Sequence, residues 1–183
     1  MPALPPSKFE HFGINVVDIE RMEQFYCSMF GFVASDRGVR FNGTRIVFLT
    51  KSPTDHHQFV LIDGRPPEMG YNNINQISFG FQSLDDLRAV YLRMAGLGHG
   101  EIVQIDHGNA WSLYAKDPED NPLELFVDSP WHTPQPCRGD LDITQPTDII
   151  LAQTEALCRS RPGFATRADW SREMARSFAA AAD

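Results

Sequence analysis

The chain has 183 residues with 24 acidic against 16 basic side chains, a formal net charge of −8. That length allows one domain with a proper core plus an appendage, and the acidic balance, with arginines scattered rather than striped, excludes a nucleic-acid surface. No apolar run approaches the roughly 20 residues that span a bilayer, and Met1-Pro2-Ala3-Leu4-Pro5-Pro6 lacks the charged region and apolar run of a signal peptide.

Cys27, Cys137 and Cys158 show neither paired nor ligand-like spacing, so no disulfide framework is expected. The expected setting is soluble and cytoplasmic, with no membrane and no nucleic-acid partner.

Residues 8–17 alternate sides and read as a strand. Asp18 is placed to cap a helix in which Ile19, Met22, Phe25, Tyr26 and Met29 recur at helical spacing, and Gly31 stops it. Strands near 32–36, 39–50 and 56–63 follow, completing a βαβββ unit over 8–64. The breaker-rich stretch 65–71 is a linker. A second unit over 72–129 opens with the strand Ile74–Phe81. Ser83 and Asp86 form a capping box, Leu84, Leu87, Tyr91 and Met94 make the buried stripe, and Gly96 and Gly98 end the helix. Strands near 101–106, 110–116 and 122–128 complete it. Residues 130–146 are proline-rich and extended, and two helices follow at about 147–160 and 167–181. The second of these has a Thr166–Asp169 capping box and a stripe of Trp170, Met174 and Phe178. This tail either docks on the domain or a partner subunit, or covers a site mouth.

The two units repeat. Shifting the chain by 65 positions lays His11 on Gln76, Ile19 on Leu84, Met22 on Leu87, Tyr26 on Tyr91, Met29 on Met94 and Gly31 on Gly96. Carried to the far strand, the same shift lays Phe59 on Glu124. Equivalent strand positions then hold His11, Gln76 and Glu124, with Phe59 the exception, a pattern expected of a metal site shared by two related half-domains. The whole is read as an α+β fold. Two tandem βαβββ modules form a partly open β-barrel around a central cavity, as one domain with a C-terminal helical tail at 130–183.

These modules, with His11 opening the first, Gln76 opening the second and Glu124 in the last strand, resemble the vicinal oxygen chelate superfamily. That group includes glyoxalases, bleomycin-resistance proteins, fosfomycin-modifying transferases and extradiol ring-cleavage dioxygenases. The phrase from Trp111 to Glu124, with its Asp117-Pro118-x-x-Asn121 turn, is similar to the superfamily's closing hairpin. The extradiol dioxygenase branch is nearest in pattern: His56-His57 stand near the start of the fourth strand, Tyr114 lies ten residues before Glu124, and Phe59 removes a fourth ligand.

The resemblance implies a metal held by His11, Gln76 and Glu124. Fe(II) is the first choice, and Mn(II), Mg(II) or Zn(II) are alternatives. It also implies a small catechol-like aromatic substrate, dioxygen, and a homodimer. A three-ligand site leaves positions open for two substrate oxygens and O₂. His57 would shuttle the proton and Tyr114 would steady bound oxygen. Strand parity puts His57, Phe59 and Leu61 on one face, with His56 turned away.

The branch has His where this chain has Gln76, and an amide oxygen suits harder cations. That keeps a glyoxalase-like lyase or isomerase open, and a metal-free small-molecule-binding protein as well. Glu124 lies in an apolar strand, where an unpaired carboxylate is costly, so it calls for a metal or a cationic partner. Gln76 is divided between ligand and buried amide, and His107 between substrate contact and turn residue. Asn75 is a candidate to orient Gln76 from behind. His99 and His132 are expected to face solvent, while Tyr26, Tyr91, Met29 and Met94 are packing residues.

Overall fold

The computed structural model describes residues 9–68, 72–98 and 100–182, so Met1–Lys8, the linker residues Met69–Tyr71, His99 and Asp183 lie outside the described residues. The described chain divides into two compact units. One comprises Pro2–Asn75 with the hairpin tip Lys116–Asn121, and the other Gln76–Ala115 with Pro122–Asp183.

The first unit holds β1 (Phe12–Val16), α1 (Ile19–Phe30), β2 (Val33–Val39), β3 (Arg45–Thr50) and β4 (Phe59–Asp63), in the sheet order β1-β4-β3-β2. Asp18 accepts from the Arg21 N–H and caps α1, and Gly31 ends it at φ 71°, a left-handed value that costs glycine little. The helix buries Ile19, Met22, Phe25, Tyr26, Met29 and Phe30 against the sheet. Each such side chain contributes about 1.5–3 kcal/mol of burial.

β1 and β4 run parallel, with Phe12 opposite Phe59 and Gly13 opposite Val60. Phe59 is 1% exposed and sits edge-on to Tyr26 of α1, so it faces the helix.

The second unit repeats the plan with β5 (Ile77–Gly80), α2 (Leu84–Leu97), β6 (Val103–Asp106), β7 (Ala110–Lys116) and β8 (Pro122–Asp128). Again the first and fourth strands pair in parallel, with Ile77 opposite Leu123 and Ser78 opposite Glu124. Ser83 accepts from the Asp86 N–H as expected, but α2 runs on through Gly96 and ends at Gly98. Tyr26, Met29 and Met94 are buried as predicted, whereas Tyr91 is only half-buried and Val90 takes the inward position.

Beyond this module come β9 (Trp131–His132), β10 (Gly139–Asp140), α3 (Thr147–Arg159), β11 (Ala165–Thr166) and α4 (Arg167–Ala182). β10 pairs with β6 and makes the second sheet five-stranded, in the order β10-β6-β7-β8-β5. The tail therefore docks on its own unit. Arg88 of α2 donates to the carbonyls of Ile143 and Gln145 and to Thr147 Oγ1. α3 buries Ile150, Thr154 and Cys158.

Thr154 Oγ1 accepts from the Trp111 indole N–H at 2.6 Å and donates to Asp106 Oδ2 at 2.6 Å, which stitches α3 to β6 and β7. Burial pushes the Asp106 carboxyl above the usual carboxylate range, against the hydrogen bonds from Thr154 and Gly108. α4 is largely exposed, with Phe178 72% exposed. His132, expected to face solvent, is half-buried because its ring stacks on Trp170 at 5.2 Å. The fold is α+β with mixed sheets and two βαβββ modules. Among the described residues no helix is long and apolar enough to cross a membrane.

Candidate active site

Two strand pairs bring chemistry to the second unit. β5 and β8 place Ser78 beside Glu124, and Gln76, two residues before Ser78, returns to the same side. β7 lies on the other flank of β8 and carries Ser112 and Tyr114.

The Glu124 carboxylate is the meeting point. Its Oε2 accepts from Gln76 Nε2 at 2.8 Å and from Ser78 Oγ at 2.8 Å. Its Oε1 accepts from Ser112 Oγ at 3.0 Å and Tyr114 Oη at 2.9 Å. The carboxylate expected to need a metal or a cation is thus satisfied by four neutral donors, each strengthened by the charge. Gln76 is drawn across strands by the same bond.

Behind Tyr114 stands His107. Its Nε2 lies 2.9 Å from Tyr114 Oη, and its Nδ1 lies 2.8 Å from the Cys137 carbonyl oxygen. Burial, then the hydrogen bond to Glu124, pushes the Tyr114 phenol up to about 12. His107, Tyr114, Glu124 and Gln76 therefore form one connected polar chain. Ser78 and Ser112 belong to it and were not anticipated. Each sits two residues from a predicted site residue, which is the only sequence signal they gave.

The first unit holds the other predicted residues. The His11 and His57 rings lie 4.2 Å apart between centroids. The two were not predicted to touch, but both were assigned to one site. Burial, and then the charges of His11 and His56, lower the His57 pKa.

Two readings need correction. Val60, not Phe59, stands opposite Gly13 as Glu124 stands opposite Ser78. The repeat therefore shifts by one residue before its last strand, and the expected fourth-ligand position is filled by apolar Val60 instead. His56 and His57 also precede β4 rather than lie within it, so strand alternation does not separate them. Their Nδ1 atoms are 2.9 Å apart and both rings pack near Phe48.

A cavity of about 420 Å³ opens in this unit beside Gly13, Asn15, Arg65 and Asn72. The Arg65 charge there is already taken by Glu119 at 2.8 Å and its amino group by Asn121. The cavity thus offers amides rather than an anion site. Glu119 also accepts from the backbone N–H groups of Val17 and Asp18, which holds the hairpin tip at the start of α1. Asp117 of the same tip accepts from the buried Tyr26 hydroxyl at 2.8 Å. Among the described residues no group of three or more His, Cys, Asp and Glu side chains is placed to hold a metal, so a metal here would need an amide donor such as Gln76.

Residues 8–125 match the Glyoxalase/Bleomycin resistance protein/Dioxygenase superfamily, and the chain belongs to it. It is 29% identical over 133 residues to biphenyl-2,3-diol 1,2-dioxygenase 2 of Rhodococcus globerulus, covering 70% of this chain and 66%, just under two thirds, of that relative. A glyoxylase/bleomycin resistance protein/dioxygenase domain from Frankia sp. EAN1pec shares the fold at a TM-score of 0.58 and 20% identity, over 68% of this chain and 93% of that one. The fosfomycin resistance protein FosX of Listeria monocytogenes, in complex with Mn(II) and sulfate, does so at 0.55 and 18%, over 68% and 95%.

Proposed function

We propose that the chain is a divalent-metal-dependent enzyme of the extradiol dioxygenase kind, opening the ring of a small catechol-like aromatic with dioxygen. The observation that carries this reading is the connected run His107–Tyr114–Glu124 with Gln76 on the same carboxylate. The likeness to a biphenyl-2,3-diol dioxygenase supports it. In this reading the two sheets wall a partly open barrel around a central cavity, and His11, Gln76 and Glu124 hold one cation.

The donor chemistry fits. Gln76 Oε1 accepts no hydrogen bond from the described residues, so turning the amide would exchange a donor for a ligand. Apolar Val60 at the position matching Glu124 adds no fourth ligand, which leaves room for a chelating substrate. When bound, the cation, Fe(II) first and Mn(II), Mg(II) or Zn(II) otherwise, supplies Lewis-acid chemistry and, as iron, redox chemistry.

The chain's own side chains do the rest. Tyr114 donates a hydrogen bond to a substrate oxygen. His107 reaches that oxygen through Tyr114 and can give or take a proton at the phenol. His57 accepts the proton of a substrate hydroxyl and later returns one. A homodimer belongs to the same proposal.

A lyase or isomerase that uses no dioxygen is the second reading, favoured by the oxygen-rich donor set that Gln76 creates. Anaerobic metal analysis followed by oxygen uptake on a catechol panel tests both. Bound metal with oxygen uptake supports the first, and bound metal without it supports the second. Metal-free protein whose melting temperature ignores chelators would end both and leave a small-molecule-binding protein of the bleomycin-resistance kind.

A further inference from the structure

His107 lies in a tight turn whose shape is set from outside the stretch that matches the superfamily. The His107 N–H donates to the Ala110 carbonyl, and the Gly108 N–H donates to Asp106 Oδ1. Gly108 adopts φ 73°, and a Cβ there would meet Thr133 Cγ2 at 2.6 Å and Cys158 Sγ at 2.9 Å. The turn is therefore pressed against the tail with no room for a side chain.

One tail residue grips both sides of this contact. Gln135 Nε2 donates to the His107 carbonyl at 2.8 Å and to Asn109 Oδ1 at 3.1 Å, while Gln135 Oε1 accepts from the Cys137 N–H at 2.9 Å. Cys137 in turn presents its carbonyl to His107 Nδ1 at 2.8 Å.

A carbonyl oxygen can only accept, so this contact requires a proton on Nδ1. Nε2 is then the nitrogen left free to exchange a proton with Tyr114. In the neutral ring Nε2 carries a lone pair, and the single phenolic proton is shared between Nε2 and Glu124 Oε1. Gln135 and Cys137 both lie beyond residue 125, where the superfamily match ends.

We propose that Gln135 is a positioning residue that, through the Cys137 carbonyl, fixes His107 as its Nδ1–H tautomer, so that the C-terminal segment completes the site. The catalytic consequence rests on the reading of Tyr114 and Glu124 given above, but the tautomer does not.

Full-length protein with ¹⁵N-labelled histidine tests it. Long-range ¹H–¹⁵N spectra of the neutral ring, with the His107 signals assigned by their loss in His107→Gln, should show a protonated Nδ1 and a bare Nε2. Gln135→Ala, at an exposed position, should leave the melting temperature in place and mix the two tautomers. It should lower kcat by about ten- to a hundredfold, the range for outer partners of a site, with KM held. Gln135→Asn, which keeps the amide on a shorter stem, should recover part of the tautomer bias.

A wild-type ring protonated at Nε2 overturns the proposal without any variant. So does an unchanged tautomer in Gln135→Ala. If the wild type turns over no catechol, the enzymatic reading fails by itself, and the ring spectra still decide the positioning claim.

Discussion

No cationic side chain pairs with Glu124 among the described residues, and four neutral donors take the place of one. A cation arriving there has to displace at least one of them. Gln76 is the donor that can turn over and become a ligand. Replacing Glu124 by Ala should therefore abolish metal binding, and unchanged metal content in that variant would remove the site. Gln76→His should tighten iron binding with the fold intact. Loss of stability without a change in metal affinity would instead make Gln76 a structural amide.

Asp106 carries a separate prediction. Its carboxyl is raised above 3.8 by burial, so the folded chain holds that proton more tightly than the unfolded one. Its contribution to stability is complete below the unfolded value and drains away as pH rises through the folded value. Asp106→Asn cannot ionise. The stability of the wild type minus that of the variant, from urea midpoints, should fall as pH rises from below the ordinary carboxylate range to above it. A difference that rises over that span would contradict the burial argument.

At the scale of elements, both βαβββ modules were legible, since their helices carry clear caps and stripes and most strands alternate. The phase of β4 was not. Phe59, Val60 and Leu61 are all buried, so the strand reads as a continuous apolar run in which period-two alternation cannot choose a face. A gapless repeat then picked Phe59 where the pairing selects Val60.

The docking of α3 was likewise hidden. Its anchor is a buried Thr154 hydroxyl that serves Trp111 and Asp106 together, and nothing in a helix pattern announces such a partner. Thr154→Val keeps the shape and strands both partners. At about 1–3 kcal/mol for each stranded group it should cost about 2–6 kcal/mol, read by chemical denaturation. A loss below about 0.5 kcal/mol, the usual scale of an inert surface change, would show that the network does not hold the helix.

For the whole molecule, the proposed metal would be linked to stability. A cation that binds only the folded chain stabilises it by about 2.7 kcal/mol when present at a hundred times its dissociation constant. Mn(II) or anaerobic Fe(II) should therefore raise the melting temperature of the wild type, a chelator should reverse the rise, and Glu124→Ala should show none. An equal rise in Glu124→Ala would place the cation elsewhere.

The residues by themselves settled what depends on local order: the duplicated βαβββ plan, the helix caps, the side of the strand on which Gln76, Tyr114 and Glu124 lie, and the family they belong to. Spacing and alternation encode these directly, because a strand turns its side chains over every second residue wherever it runs. Which donors crowd the Glu124 carboxylate, where the phase slips in β4, and how Gln135 and Cys137 hold His107 were decided only by the folded chain. Those contacts join segments far apart in sequence through one or two hydrogen bonds each, and a single bond between distant residues leaves no periodic trace in either of them.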